Sequence, residues 1–274
     1  MEKAIYSNKV KKDLLIDLYS DLHYNPGDNL DFFKKNLEKL AYNDYTFFLG
    51  DLIHDSKYEL KELKELLQVI AQITKYTKLI FILGNHDQFT RSNNEWVDFY
   101  NKELVNELKN IGVILLQNEY YKDDNINVYG ARFDGSYYEK QEPIDEFINN
   151  IKNVEFTDLD KFNILLEHSP KNTFNKDIIS NMINLNNLDL VLAGHYHNGC
   201  IPWYISNIIK GNSGIIDPYS NLFPKYARND KNITETTYGN IIAPIRTFSS
   251  KSILNIINNV FFPPVNQKIL IKKI

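Results

Sequence analysis

Residues 188–199 read LDLVLAGHYHNG. An apolar run of strand character stops at Gly194, and His195 and His197 follow one residue apart, two of only six histidines in 274 residues. Taken alone, the pair describes a turn that tolerates His and Asn. Its meaning depends on the other histidines. Working back along the chain, FNILLEH at 162–168 ends in His168, and KLIFIL at 78–83 runs into Gly84, Asn85, His86 and Asp87. YTFFLG at 45–50 runs into Asp51, and LLIDLYS at 14–20 runs into Asp21 and His23. Five of the six histidines thus lie just past the ends of apolar runs, which is where open α/β sheets carry their ligand crevice.

These runs are short and nearly continuous in apolar residues, as strands buried on both faces read. Further strands are expected at 113–116 and 126–133, and in the segments TTYGNII and KILIKKI near the C-terminus. Between them, 59–75 repeats leucine and isoleucine with helical spacing, and a second helix is expected near 95–110. Strands alternating with helices give a layered α/β fold with mixed sheets. The length suits a single domain over 1–274, in which 201–226 has no clear period and carries Trp203, Tyr204, Tyr219, Phe223 and Tyr226. That stretch reads as an excursion from the core and as a candidate substrate cap, with packing onto a sheet edge as the other reading.

Formal net charge is -4, which gives no reason to expect nonspecific binding to DNA. The single cysteine, Cys200, excludes an internal disulfide framework and a thiolate metal cluster, and fits a reducing compartment. No secretory signal or membrane span is visible, so a cytoplasmic protein is expected, with peripheral membrane contact left open.

An Asp after a strand is ordinarily a turn or cap residue, and a lone His beside a core is ordinarily structural. Here Asp21, Asp51, Asn85 and four imidazoles (His23, His168, His195, His197) recur at strand ends, and such groups are costly to bury unless paired or metal-bound. Their convergence makes sense around cations. Seven ligands are too many for one tetrahedral ion and suit two adjacent ions sharing a carboxylate. The mixed oxygen and nitrogen set points to divalent or mixed-valence transition metals, Mn, Fe and Zn foremost, and away from Mg and Ca. Gly50, Gly84 and Gly194 let the backbone turn beside such a group.

The ordered series DLH, GD, GNHD, H and GHYH resembles the calcineurin-like metallophosphoesterase superfamily. The segment NSGIIDPYSNLFPKYARN is similar to its bacterial YkuE-like and YaeI-like branch, where GHxHGGQ is common; Asn198 and Cys200 depart from that pattern. The resemblance implies a four-layer α/β/β/α sandwich of two mixed sheets, with the site on loops at strand ends. It implies Asp21, His23 and His197 as ligands of one metal, Asn85, His168 and His195 as ligands of the other, and Asp51 as the bridge. His86 matches a non-ligand histidine near the leaving group, and Asp87 the acid expected to orient it.

The expected activity is hydrolysis of a phosphodiester or pyrophosphate bond by a metal-activated hydroxide, on a small substrate that is nucleotide- or lipid-linked. A phosphomonoesterase, including a protein phosphatase, is the alternative, and a non-catalytic scaffold of the same fold is the third. No protein partner is inferable. Among neighbouring residues, Glu167 falls on the strand face opposite His168 and reads as a solvent-facing strand end, with a hydrogen-bond acceptor behind the ligands as the other reading. Arg132 reads as surface or salt-bridged, with phosphate recognition as its functional alternative. Tyr24 and Asn25 are candidates to line the pocket, and His54 either approaches substrate or serves structure.

Overall fold

The computed structural model describes the chain except residues 1, 93–94, 140–143, 152–153, 176–186, 206–212, 221, 226, 228–229, 233–236 and 246–266. In chain order the described strands are β1 Glu2–Ser7, β2 Leu14–Tyr19, β3 Tyr45–Leu49, β4 Lys78–Ile82, β5 Phe89–Ser92, β6 Glu95–Asp98 and β7 Ile114–Leu116. They continue with β8 Glu119–Lys122, β9 Ile126–Gly130, β10 Phe162–Glu167, β11 Leu190–Ala193, β12 Asp230–Asn232, β13 Tyr238–Ile241 and β14 Gln267–Lys273. One sheet runs β1-β14-β2-β3-β4-β7 and the other β12-β13-β11-β10-β9-β8. Both are mixed: β2, β3, β4 and β7 pair in parallel while β14 is antiparallel to β2. In the second sheet β9, β10, β11 and β13 are parallel, with β8 and β12 as antiparallel edges.

Side-chain alternation sorts the apolar residues into three cores. Between the sheets lie Ile16, Leu18, Phe47, Leu49, Ile80 and Ile82, facing Val128, Ile164, Leu166, Leu190 and Leu192. The intervening residues Tyr19, Phe48, Leu79 and Phe81 pack outward against helices Lys64–Tyr76 and Lys102–Asn110. On the far side, Tyr129, Leu165 and Val191 pack against Tyr137, Phe147 and Ile151 of helices Gly135–Glu139 and Ile144–Ile151. Three cores separate four layers, helix, sheet, sheet and helix. The central strands are buried on both faces, which is why they lack a polar alternation.

Some expectations change. The helix expected near 95–110 begins only at Lys102, because Glu95–Asp98 pairs with Phe89–Ser92 as a hairpin. The helix expected at 59–75 runs instead over Lys64–Tyr76, and the strand expected at 126–133 stops at Gly130. Glu167 does face away from His168, yet it is fully buried and accepts from Thr173 Oγ1 at 2.7 Å. In a sheet covered on both sides, the opposite face is not solvent. Among the described residues, no helix is long and apolar enough to cross a membrane.

Candidate metal centre

Parallel pairing in register carries β2, β3 and β4 to one edge together, with Tyr19 beside Phe48 and Leu49 beside Ile82. The residues just past that edge are Asp21, His23, Asp51 and Asn85. In the facing sheet Glu167 pairs with Ala193, so His168 and His195 follow side by side. The two edges meet closely. A Cβ on Gly194 would collide with Ser20 Oγ and the Asp21 carboxylate, and one on Gly84 would collide with the Asp51 carboxylate and backbone. Only glycine lets these loops approach.

The loops also turn the other way. Asp21, His23, Asp51, His195 and His197 have φ of 53°, 47°, 55°, 60° and 47°. Such left-handed geometry is uncommon outside glycine and clusters at functional sites. Backbone bonds hold it: Asp21 N–H donates to Gly50 O at 3.0 Å and His23 N–H to Asp51 O at 2.9 Å.

Two groups of potential ligands result, with their donor atoms within 4.8 Å of one another in each. One joins Asp21, His23 and His197, the other Asp51, His168 and His195. Asp51 lies between them: its Oδ2 is 3.2 Å from His168 Nε2 and 3.7 Å from His23 Nε2. Its Oδ1 accepts from the His86 backbone N–H at 2.8 Å, leaving Oδ2 to face inward. Asn85 Oδ1 approaches His168 Nε2 to 3.2 Å. Asp21 Oδ1 stands 3.4 Å from His197 Nε2, and its Oδ2 accepts from Ser20 Oγ at 2.5 Å. All seven side chains singled out in the sequence meet at one place.

The donor set fits metal ions. His23 Nε2 and His197 Nε2 face each other at 3.2 Å, and two nitrogens on one tetrahedral ion at zinc-like bond lengths lie about 3.3 Å apart. His168 Nδ1 sits 2.6 Å from Leu49 O, a bond that fixes the proton there and turns Nε2 inward as a ligand-ready lone pair. His195 Nε2 is buried with no hydrogen-bond partner among the described residues, as a nitrogen reserved for a cation would be.

The charge pattern agrees. Burial alone would raise the Asp51 carboxyl, but His168, His86 and His23 hold it well below the usual carboxylate range. Burial opposes charge on His168 and His197, yet Asp51 pushes His168 up to about 9 and Asp21 holds His197 well above the usual histidine value. Burial drives His23 and His195 well below it. The carboxylates therefore demand positive charge, which protons supply in the absence of metal and ions would replace.

His86 is half-buried beside this centre, its ring 4.6 Å from that of His23. Its expected partner is not Asp87. The Asp87 carboxylate is filled by backbone donors: Asp51 N–H at 2.8 Å, Gly84 and Leu52 N–H at 2.9 Å each, and Ile53 N–H at 3.2 Å. It ties the Asp51 loop to the Asn85 loop. What holds the His86 ring is the His54 carbonyl, 2.7 Å from Nδ1. Burial and the neighbouring Asp51 push Asp87 up to about 7, against the opposing pull of its N–H donors and of His168.

Other candidates separate cleanly. Tyr24 is buried in the outer core, and Asn25 donates to His23 O at 3.2 Å and accepts from Tyr58 OH at 2.9 Å, so both are structural. Arg132 donates to Gln88 Oε1 and lies 4.9 Å over the Tyr100 ring. Cys200 hydrogen-bonds the His197 ring. Three more rings border the centre: Tyr138, whose ring is 5.4 Å from that of His195; Tyr219, expected within the cap stretch, 5.9 Å from it; and His54, expected either to approach substrate or to serve structure, stacked 5.2 Å from His86. Of these, Tyr138 escaped the sequence reading, and it had no local signal. Tyr226 and the Trp203 side chain lie outside the described residues.

Residues 14–199 match the family model of calcineurin-like phosphoesterases, more than half of the chain. YfcE, a phosphoesterase from E. coli, is 12% identical with a TM-score of 0.37, over 85% of this chain and 80% of that one. The Pseudomonas putida nuclease MPE is 13% identical with a TM-score of 0.30, over 66% of this chain and 61% of that one. Likeness at that level adds nothing to the chemistry. No curated protein matches.

Proposed function

This chain belongs to the calcineurin-like phosphoesterase family, and on that premise we propose that it hydrolyses a phosphodiester or pyrophosphate bond in a small nucleotide- or lipid-linked substrate. It is a binuclear metallohydrolase by family and by its clustered His and Asp side chains. In this reading Asp21, His23 and His197 hold one ion, Asn85, His168 and His195 the other, and Asp51 bridges them. When bound, the ions, with Mn, Fe or Zn as the fitting metals, clamp phosphate oxygens and acidify a water for in-line attack. The observation that carries the reading is the inward Asp51 Oδ2, within 3.7 Å of an imidazole nitrogen from each cluster.

The chain's own side chains have distinct tasks. His86, held through Nδ1 by the His54 carbonyl, keeps Nε2 for the leaving oxygen. Asp87 is a positioning residue that fixes the loop carrying Asp51. Tyr219, whose ring reaches His195, supports the substrate-cap reading of 201–226 within a single domain. Its segment underlies placement in the YkuE-like and YaeI-like branch. A cytoplasmic site, with peripheral membrane contact open, belongs to the same proposal.

A diester or pyrophosphate linkage is favoured over a monoester by charge. Among the described residues, the ion-pair partners of Asp21 and Asp51 are all histidines, and Arg132 is engaged elsewhere. The test is a panel with added Mn: bis-aryl phosphodiester, aryl monoester, cyclic nucleotides and nucleoside diphosphate derivatives. Faster turnover of the monoester would overturn the ordering.

A further inference from the structure

His23, His54 and His86 form a third group of imidazoles with nitrogens within 4.8 Å of one another. The function proposed above uses His23 as a ligand and His86 at the leaving group, and gives the His54 ring no task. That ring is half-buried. It stacks on His86 with centroids 5.2 Å apart and planes 24° from parallel, and meets His23 edge-on at 6.2 Å. Its backbone is pinned, N–H to Tyr24 O at 3.0 Å and carbonyl to His86 Nδ1 at 2.7 Å.

Chelation of a third ion is one use for such a ring, and metal content separates it from the other. A coordinating imidazole holds its ion in the ring plane, about 2.0–2.1 Å from nitrogen. Such an ion would be counted as a third per chain, beyond the two of the function proposed above. The other use is as a hydrogen-bonding group beside that of His86, for a second oxygen.

We propose that His54 is a second substrate-contacting residue, whose imidazole hydrogen-bonds an oxygen of the leaving-group half beside the oxygen served by His86. This rests on the function proposed above and sharpens it. A leaving group that begins with a second phosphoryl group offers oxygens to both rings, whereas an aryl leaving group offers one. The favoured substrate class is therefore a pyrophosphate, such as a nucleoside diphosphate derivative.

The test uses the metal-loaded full chain with His54→Phe, which keeps a stacking ring, and His54→Gln, which keeps a donor. Turnover is compared on a nucleoside diphosphate derivative and a bis-aryl phosphodiester, with metal content by elemental analysis and binding of inorganic pyrophosphate by calorimetry. His54→Phe is expected to lower kcat/KM on the pyrophosphate by roughly 10- to 100-fold and on the aryl diester by less than about threefold. Pyrophosphate binding weakens alongside, metal content holds, and His54→Gln restores part of the loss. The loss persists in a His86→Asn background. Equal activity on both substrates, an equal loss on both, a lost ion, or no further effect in the His86→Asn background would each overturn the assignment. A wild-type protein that cleaves neither substrate would instead overturn the proposed function.

Discussion

Replacing Asp87 separates two roles for this acid, a tie between loops and a partner of His86. Its carboxylate is 3% exposed and accepts four backbone N–H bonds, from Asp51, Leu52, Ile53 and Gly84. Asp87→Ala strands all four donors in a buried place. Each unsatisfied donor costs about 1–3 kcal/mol, and relaxation with water entry keeps the total below the simple sum, at about 3–5 kcal/mol. Asp87→Asn keeps one acceptor oxygen and turns an amide toward the other two donors, for about 2–3 kcal/mol. At about 2–4 °C per kcal/mol for a chain of this size, the Asn variant melts roughly 4–12 °C lower. Thermal and urea midpoints of the metal-free protein measure this without reference to catalysis. An Asn variant that melts with the wild type, yet loses turnover only on substrates with poor leaving groups, would refute the tie and restore Asp87 as the partner of His86.

His86→Asn is expected to lower kcat by about 100-fold or more, most on poor leaving groups, with both ions retained; full activity on such substrates contradicts its role. Gly194→Ala drives a methyl into Ser20 Oγ and the Asp21 carboxylate, and is expected to cost about 1–3 kcal/mol by urea unfolding and to weaken metal binding; an unchanged midpoint contradicts the close packing of the sheet edges. Away from the site, burial opposes charge on Asp123, but hydrogen bonds from Tyr45, the Asn125 and Ile126 backbone and Lys78 hold its carboxyl below the usual range. A lowered folded value stabilises above the unfolded value of about 3.9 and is lost as pH falls through the folded one. Asp123→Asn is expected to be about 1–2 kcal/mol less stable at pH 7, discounted for partial exposure, with a gap that narrows below about pH 4; a constant gap contradicts the assignment.

The site was legible because its parts are local. Each candidate ligand follows a buried strand directly, and parallel strands in register end together, so Asp21, Asp51 and Asn85 need no long-range guess to be placed on one edge. What resisted were residues whose partners lie elsewhere in the chain. Asp87 reads as a neighbour of His86, but its bonds run to a loop some thirty-five residues earlier. Glu167 sits on the face that alternation assigns, and only the layer covering that face makes it buried. The Glu95–Asp98 strand exists by pairing with Phe89–Ser92, which periodicity inside either segment does not announce. Tyr138 and Tyr219 reach His195 through tertiary packing alone.

Metal counting tests the pairing of the clusters most directly. Elemental analysis of purified active protein, beside Asp51→Asn, is expected to give two transition-metal ions per chain in the wild type and fewer than one tightly held in the variant. A fully active protein free of transition metal, or a variant that keeps both ions tightly, would contradict it.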